Sequence, residues 1–164
     1  MFNEVTNDQM LQDCFKIRKE VFVKEQHVPE DNEIDKYENE AIHIIGYNED
    51  NLPIATARIR MLNEEIGKVE RVAILKEYRG LGLGLKLLQF VEKIAHTYQL
   101  TFLTMHAQYY AIPFYEKLGY STSGQPFYEE NIKHIVMDKN MNTWWLNLTK
   151  YLSLIHISEP TRRR

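Results

Sequence analysis

The sequence predicts a mixed α/β (α+β) domain, and three observations carry that reading. Stretches with apolar residues at helical spacing alternate with short runs rich in β-branched residues. Their order is α, β, β, β, α, β, α, β, with room for a further strand around Tyr120–Ser123. A length of 164 residues, 44% of them hydrophobic, is enough for one domain with a true core. No internal repeat or low-complexity linker divides the chain, so one domain over residues 1–139 is expected, with 140–151 an extension of unassigned origin.

The first helix is expected from "TNDQ", residues 6–9, where Thr6 and Gln9 fit a capping box. Met10, Leu11, Cys14, Ile17, Arg18, Val21 and Phe22 follow at helical spacing, and Cys14 reads as a small core residue. "VKEQHVPEDNEIDKYENE" is polar, acidic and broken by Pro29. It reads as a solvated loop with at most a short helix, in preference to an acidic lid that draws in a cationic acceptor. "AIHIIGY" and "PIATARIRML" flank "NEDNL" and predict a hairpin, and "GKVERVAIL" gives the third strand. In the next helix Leu87, Leu88, Val91, Ile94, Ala95 and Tyr98 line one side. "TFLTMHA" is a strand, and "YYAIPFYEKLGY" is a short helix stopped by Gly119, with Pro113 tolerable only in its first turn. "NIKHIVMDK" closes the domain as a strand.

Composition narrows the function classes. A net charge of −3 with no basic stripe argues against nucleic-acid binding. One cysteine excludes an internal disulfide framework and a structural zinc cluster. The start "MFNEVTNDQM" lacks the layout of a signal peptide, and no apolar run approaches the roughly 20 residues of a membrane span. The cytoplasm is therefore the expected compartment. Glu33 and Asp35 have no histidine at ligand spacing, so no metal is expected. "LSLIHISEPTR", Leu152 to Arg162, resembles the translation of a transposase adapter used in preparing sequencing libraries, so residues 152–164 are set aside. That segment carries three arginines and Glu159, so without it the net charge moves from −3 to −5.

"YRGLGLGLKLLQF", residues 78–90, carries the first functional signal. Gly80, Gly82 and Gly84 follow Arg79 and run into an amphipathic helix, although each glycine costs about 1 kcal/mol inside a helix. The spacing fails as G-x-G-x-x-G, because Gly84 comes one position early. It fails as a P-loop, because Leu85 separates Gly84 from Lys86. What remains is a strand delivering uncovered amides to a helix N-terminus, a ready anion site. The dipole alone contributes about 0.3–1 kcal/mol per charge, so binding needs direct amide bonds as well. Tight helix–strand packing without a ligand is the competing explanation.

"R-G-L-G-L-G" matches the R/Q-x-x-G-x-G/A pyrophosphate motif of the GCN5-related N-acetyltransferase (GNAT) superfamily. Together with "IRKEVFVKEQHVP", "GKVERVAILKEYRGLGLG" and "AIPFYEKLGY", it resembles the small bacterial ElaA-like or YjcF-like subgroup over about residues 3–139. The resemblance implies a GNAT fold, a mostly antiparallel mixed sheet in which two parallel strands splay apart around acetyl-CoA. Here those strands are "VERVAI" and "TFLTMHA". Backbone groups of Val72 and Ile74 are then expected to pair with the pantetheine, and the amides of Arg79, Gly80, Leu81, Gly82, Leu83 and Gly84 to hold the pyrophosphate. Gln108 stands where the family often has an asparagine that contacts the cofactor arm. Tyr115 matches the tyrosine that commonly protonates the departing thiolate, with an amphipathic packing role as its alternative.

The chemistry implied is direct acetyl transfer to a primary amine of an unidentified small acceptor. An amine with a lysine-like pKa near 10.4 is deprotonated about once in 2,500 molecules at pH 7, a cost of about 4.6 kcal/mol. A general base is therefore useful. Glu70 is the first candidate, unless it only pairs with Arg71 or another cation. His106 and His134 are weaker candidates. Full proton transfer from a tyrosine near 10 to a thiolate near 8.5 is uphill by about 2 kcal/mol, so Tyr115 must act while charge is developing. Two other readings stay open: a non-catalytic acyl-CoA-binding module, and a transferase for longer acyl groups accommodated around Leu103 and Met105. A homodimer is also left open.

Overall fold

The computed structural model describes residues 1–143, so the expectations for the extension beyond that point and for residues 152–164 lie outside the described residues. The strands are β1 (Phe2–Glu4), β2 (Ile42–Tyr47), β3 (Pro53–Met61), β4 (Ile66–Ile74), β5 (Phe102–Gln108), β6 (Ser121–Glu129) and β7 (Ile132–Asn140). They form one seven-stranded sheet in the order β1-β2-β3-β4-β5-β7-β6. Only β4 and β5 run parallel in it; every other neighbouring pair is antiparallel. The helices are α1 (Asp8–Arg18), the single turn α2 (Glu30–Glu33), α3 (Leu83–Thr97) and α4 (Ile112–Lys117). The predicted fold class holds.

The helices cover both faces of the sheet. On one, Leu87, Leu88 and Val91 of α3 and Tyr115 of α4 pack with Ala57, Ile59, Met105 and Met137. On the other, Cys14, Ile17 and Val21 pack with Ile45 and Ala73. A fully buried leucine or valine contributes about 1.5–3 kcal/mol, so α3 is held by its apolar stripe and not by its glycine-rich entrance.

The N-cap of α1 is Asn7, not Thr6: its side chain accepts the Met10 amide at 2.9 Å, while Gln9 bonds Asp13. Asparagine satisfies an orphan amide at least as well as threonine, so the cap moved by one residue. The helix then widens into a π-helical stretch, Lys19–Glu25, which carries Phe22 and the adjoining Gln26 toward β4 and β5. Pro113 lies in the first turn of α4, and Gly119 follows that helix at φ +93°, as expected. Tyr98 is exposed at the end of α3, where its hydroxyl donates to Glu4. The extra strand is real and longer than expected. The three-residue β1 is too short to show a period in the sequence. Met141, just past β7, is buried in the core, so the packed unit reaches beyond Lys139.

The acidic segment after Pro29 has the short helix expected and is exposed at most positions, but two of its carboxylates are not solvated. Glu33 and Glu38 are buried against Arg18, with the pairs at 2.6 Å, and Arg58 contacts Asp35 and Glu38 at 2.9 Å each. Two fully buried arginines thus fold the carboxylates inward, where unpaired charges would be expensive.

Candidate active site

The parallel ladder between β4 and β5 ends at Val69–Met105, although both strands continue. A bulge explains the parting. Thr56 pairs with Ala73 and Arg58 with Glu70, so two steps on β3 answer three on β4. Arg71 takes up the extra length at φ +55°, a left-handed conformation unfavourable for a side chain of its size. Its guanidinium is anchored by the Glu33 carbonyl at 3.0 Å and by Asp35 at 3.3 Å, which offsets the strain. Beyond the last rung, Glu70–Ile74 and His106–Gln108 have no ladder partner across the gap, and a cleft of about 470 Å³ opens there. Val72 and Ile74 lie on its β4 edge.

At the cleft mouth the chain makes a turn at Lys76–Tyr78 and enters α3. Gly80 and Gly82 have φ of +78° and +79°, and a Cβ at either would meet no atom within 4 Å. These glycines answer a backbone requirement and leave their surface open. Gly82 caps α3 without a side-chain hydrogen bond, so the first amides of a 15-residue helix stay available to an anion. Gly84 has a different reason. A Cβ there would lie 3.1 Å from the Phe114 ring, and Phe114 packs edge-on to Tyr115 at 5.0 Å. Leu81 is exposed beside the turn. The Arg79 side chain forms a bidentate pair with Glu25 at 2.9 Å and donates to the Ile74 carbonyl, tying the mouth together.

Tyr115 lines the cleft from α4 and is buried between Phe114 and Tyr120. Its hydroxyl is not one of the buried polar atoms left without a partner, which among the described residues are His43 Nδ1 and Arg58 Nε. Burial, with a smaller contribution from Tyr110, pushes its pKa well above the ordinary tyrosine range. Gln108 lines the β5 edge and donates to Gln26 at 2.9 Å, an amide pair across the cleft.

Glu70 is at the cleft but is held by Arg58 at 2.8 Å, Arg60 at 3.1 Å and Lys68 at 3.4 Å, not by Arg71. Burial raises its pKa, but hydrogen bonds and charge from Arg60, Arg58 and Lys68 outweigh burial and bring it below the usual carboxylate range. Its basicity is spent on the arginines. Cys14 is fully buried and burial pushes its thiol up to about 11, so it is no nucleophile. Met105 lines the cleft, whereas Leu103 is fully buried in the core and cannot set acyl-chain length from the cleft wall.

The sequence reading missed three contributors: the bulge at Arg71, the π-helical wall with Gln26, and Glu129, which contacts His106 Nδ1. A positive φ at arginine has no sequence signature, and Glu129 becomes relevant only through the β5-β7-β6 pairing.

A strand pair opens at mid-length beside a helix entrance with free amides, and a phenol lines the gap; similarity to known proteins assigns this arrangement to the acyltransferases. The chain belongs to the GNAT acetyltransferases: residues 3–141 match the family described as "Acetyltransferase (GNAT) domain". It is 40% identical over 135 residues to YjcF of Bacillus subtilis, an uncharacterized N-acetyltransferase, covering 82% of this chain and 95% of that one. The crystal structure of Escherichia coli ElaA superposes with a TM-score of 0.75 at 24% identity, covering 85% of this chain and 99% of ElaA. A GNAT family acetyltransferase from Elizabethkingia anophelis, solved with acetyl-CoA bound, shares the fold with a TM-score of 0.65 at 14% identity, covering 85% and 97% of the two chains.

The glycine turn makes a direct prediction. Gly82→Ala must place a Cβ at φ +79°, which costs about 1–2 kcal/mol in the left-handed region. Relaxing that strain would rotate the amides that open α3. The expected result is a Kd for acetyl-CoA raised about tenfold, equal to 1.4 kcal/mol, with a small loss of stability. Calorimetric titration and thermal melting of the same sample separate the two effects.

Proposed function

We propose that this enzyme transfers the acetyl group of acetyl-CoA directly to a primary amine of a small acceptor. The observation that carries the reading is the parted β4–β5 pair, whose unpaired edges line one cleft with Arg79, the residue that leads into the Gly80–Gly84 turn, and with Tyr115. Backbone groups of Val72 and Ile74 receive the pantetheine as an added strand, and the amides from Gly80 to Gly84 receive the pyrophosphate. Arg79, expected to contribute its amide, does not join them: that amide donates to the Lys76 carbonyl at 3.3 Å and its side chain is committed to Glu25, so the free amides begin at Gly80. Gln108, paired with Gln26, borders the pantetheine arm.

The amine lone pair forms the new C–N bond, and the C–S bonding pair leaves with sulfur. Tyr115 donates its hydroxyl proton to that sulfur. Because burial raises the Tyr115 pKa, full transfer ahead of bond cleavage is more than about 2 kcal/mol uphill, so the proton moves as the C–S bond breaks. Closing the cleft around the thioester strengthens this hydrogen bond by excluding water.

The test is release of the CoA thiol from acetyl-CoA in the presence of a panel of primary amines, with mass spectrometry of the acetylated product. The reading expects amine-dependent release and an amide product. Tight acetyl-CoA binding without release for any amine would replace it with an acyl-CoA-binding module.

A further inference from the structure

We infer that His106, held by Glu129, is the catalytic base that removes the proton from the attacking amine. The inference rests on the acetyl-transfer reading above. His106 and Glu70 are the first residues of β5 and β4 beyond the last paired rung, Val69–Met105, and so flank the point where the strands part. Both line the cleft. Glu70 is neutralised by three cations, whereas the His106 side chain is 35% exposed and touches one carboxylate, that of Glu129.

The contact fixes the imidazole. Glu129 accepts from Nδ1–H, which leaves the lone pair on Nε2, and Nε2 has no partner among the described residues. Phe127 packs edge-on against the ring at 4.9 Å and removes a rotational choice. His134, the other histidine at the cleft, is committed through Nδ1 to the Ile132 carbonyl and stacks on Phe127. The charged and histidine groups that line the cleft with His106 are Glu129, Glu130 and His134 from the β6–β7 hairpin, Lys68, Glu70 and Arg71 from β4, Glu33 from α2, and Arg79.

Strand alternation sets the direction of proton flow. Met105 and Ala107 point into the core cluster that contains Tyr115, so His106 between them faces the other side of the sheet. The base and the acid therefore stand on opposite faces of the gap. An amine reaching the carbonyl from the His106 side gives its proton to Nε2, directly or through one water, as the C–N bond forms. Sulfur leaves toward Tyr115 and takes the phenolic proton. Solvent exchange returns a proton to Tyr115 and removes one from His106, so the cycle balances without a further reactant.

The experiment measures amine-dependent CoA release from pH 5.5 to 9 for the wild type, His106→Gln and Glu129→Gln, with acetyl-CoA affinity determined on each. His106→Gln is expected to bind acetyl-CoA as the wild type does, to lose about 10²–10⁴-fold in kcat/KM, and to lose the acidic limb that an imidazole base imposes. Glu129→Gln removes the acceptor that fixes the ring through Nδ1, so kcat is expected to fall while KM for acetyl-CoA stays near the wild-type value. A loss confined to kcat is a readout that a merely structural role for Glu129 would not give. A His106→Gln enzyme within about threefold of wild type and with its limb unchanged would overturn the dyad and leave the acetyltransferase reading intact. A wild type that binds acetyl-CoA and acetylates no amine would overturn both.

Discussion

Tyr115→Phe is expected to lower kcat for acetyl transfer by about 10²–10⁴-fold, while acetyl-CoA affinity stays near the wild-type value. The substitution removes one oxygen and leaves the ring contacts with Phe114 and Tyr120 in place. With the ring packing kept, stability should stay near the wild-type value. That separates this variant from an unfolding mutation. The pH dependence adds a second check. With its pKa raised by burial, Tyr115 stays protonated through pH 9, so no basic limb of the wild-type profile arises from it. A Tyr115→Phe enzyme with unchanged kcat at saturating acetyl-CoA would remove Tyr115 as the acid.

How much of this site was legible follows from the range of each interaction. The helix entrance at Gly80–Gly84 was readable because its requirements are local: two left-handed residues and a small one in a span of five. The strands were readable where β-branched residues run together, as in "AIHIIGY" and "PIATARIRML". Tyr115 was readable through the resemblance carried by "AIPFYEKLGY". Interactions between distant segments were not. For Glu70 the sequence left a base and a carboxylate paired to Arg71 or another cation both open, because Arg58 and Arg60 reach it from the neighbouring strand. The pairing of His106 with Glu129 depends on β7 lying between β5 and β6, an order that periodicity does not reveal. Arg18 was placed correctly on the buried face of α1, but its partners come from the segment expected in solvent.

That buried network supports the second large expected effect. Arg58 is 1% exposed, lies opposite Glu70 at the edge of the β4 bulge, and satisfies Asp35, Glu38 and Glu70 at 2.8–2.9 Å. Arg58→Met keeps an unbranched apolar stem and leaves three carboxylates short of a cation. Breaking a buried pair in this way costs about 3–5 kcal/mol, against a total stability of roughly 5–15 kcal/mol. A fall in Tm of about 10 °C or more is expected for a domain of this size. The sign with pH distinguishes lost charge pairing from lost packing. In the wild type, burial raises the pKa values of Asp35, Glu38 and Glu70. Their hydrogen bonds and charges, chiefly from Arg58 and Arg18 and, at Glu70, from Arg60, outweigh it and hold all three low, Asp35 at about 2. Their contribution is therefore present above the unfolded carboxylate range near 4 and is lost as pH falls toward 2. In Arg58→Met the burial effect is less opposed and the folded values rise, so protonation on acidification relieves the variant before it harms the wild type. The stability difference should shrink as pH falls from 7 to about 4, measured by urea denaturation at each pH. A difference that stays constant over that range would assign the loss to packing alone. The same geometry links this network to the proposed catalysis: Arg58, which lowers the basicity of Glu70, also holds Asp35, the carboxylate that anchors Arg71 at the bend that opens β4 from β5, and the proposed base stands on the strand across the cleft.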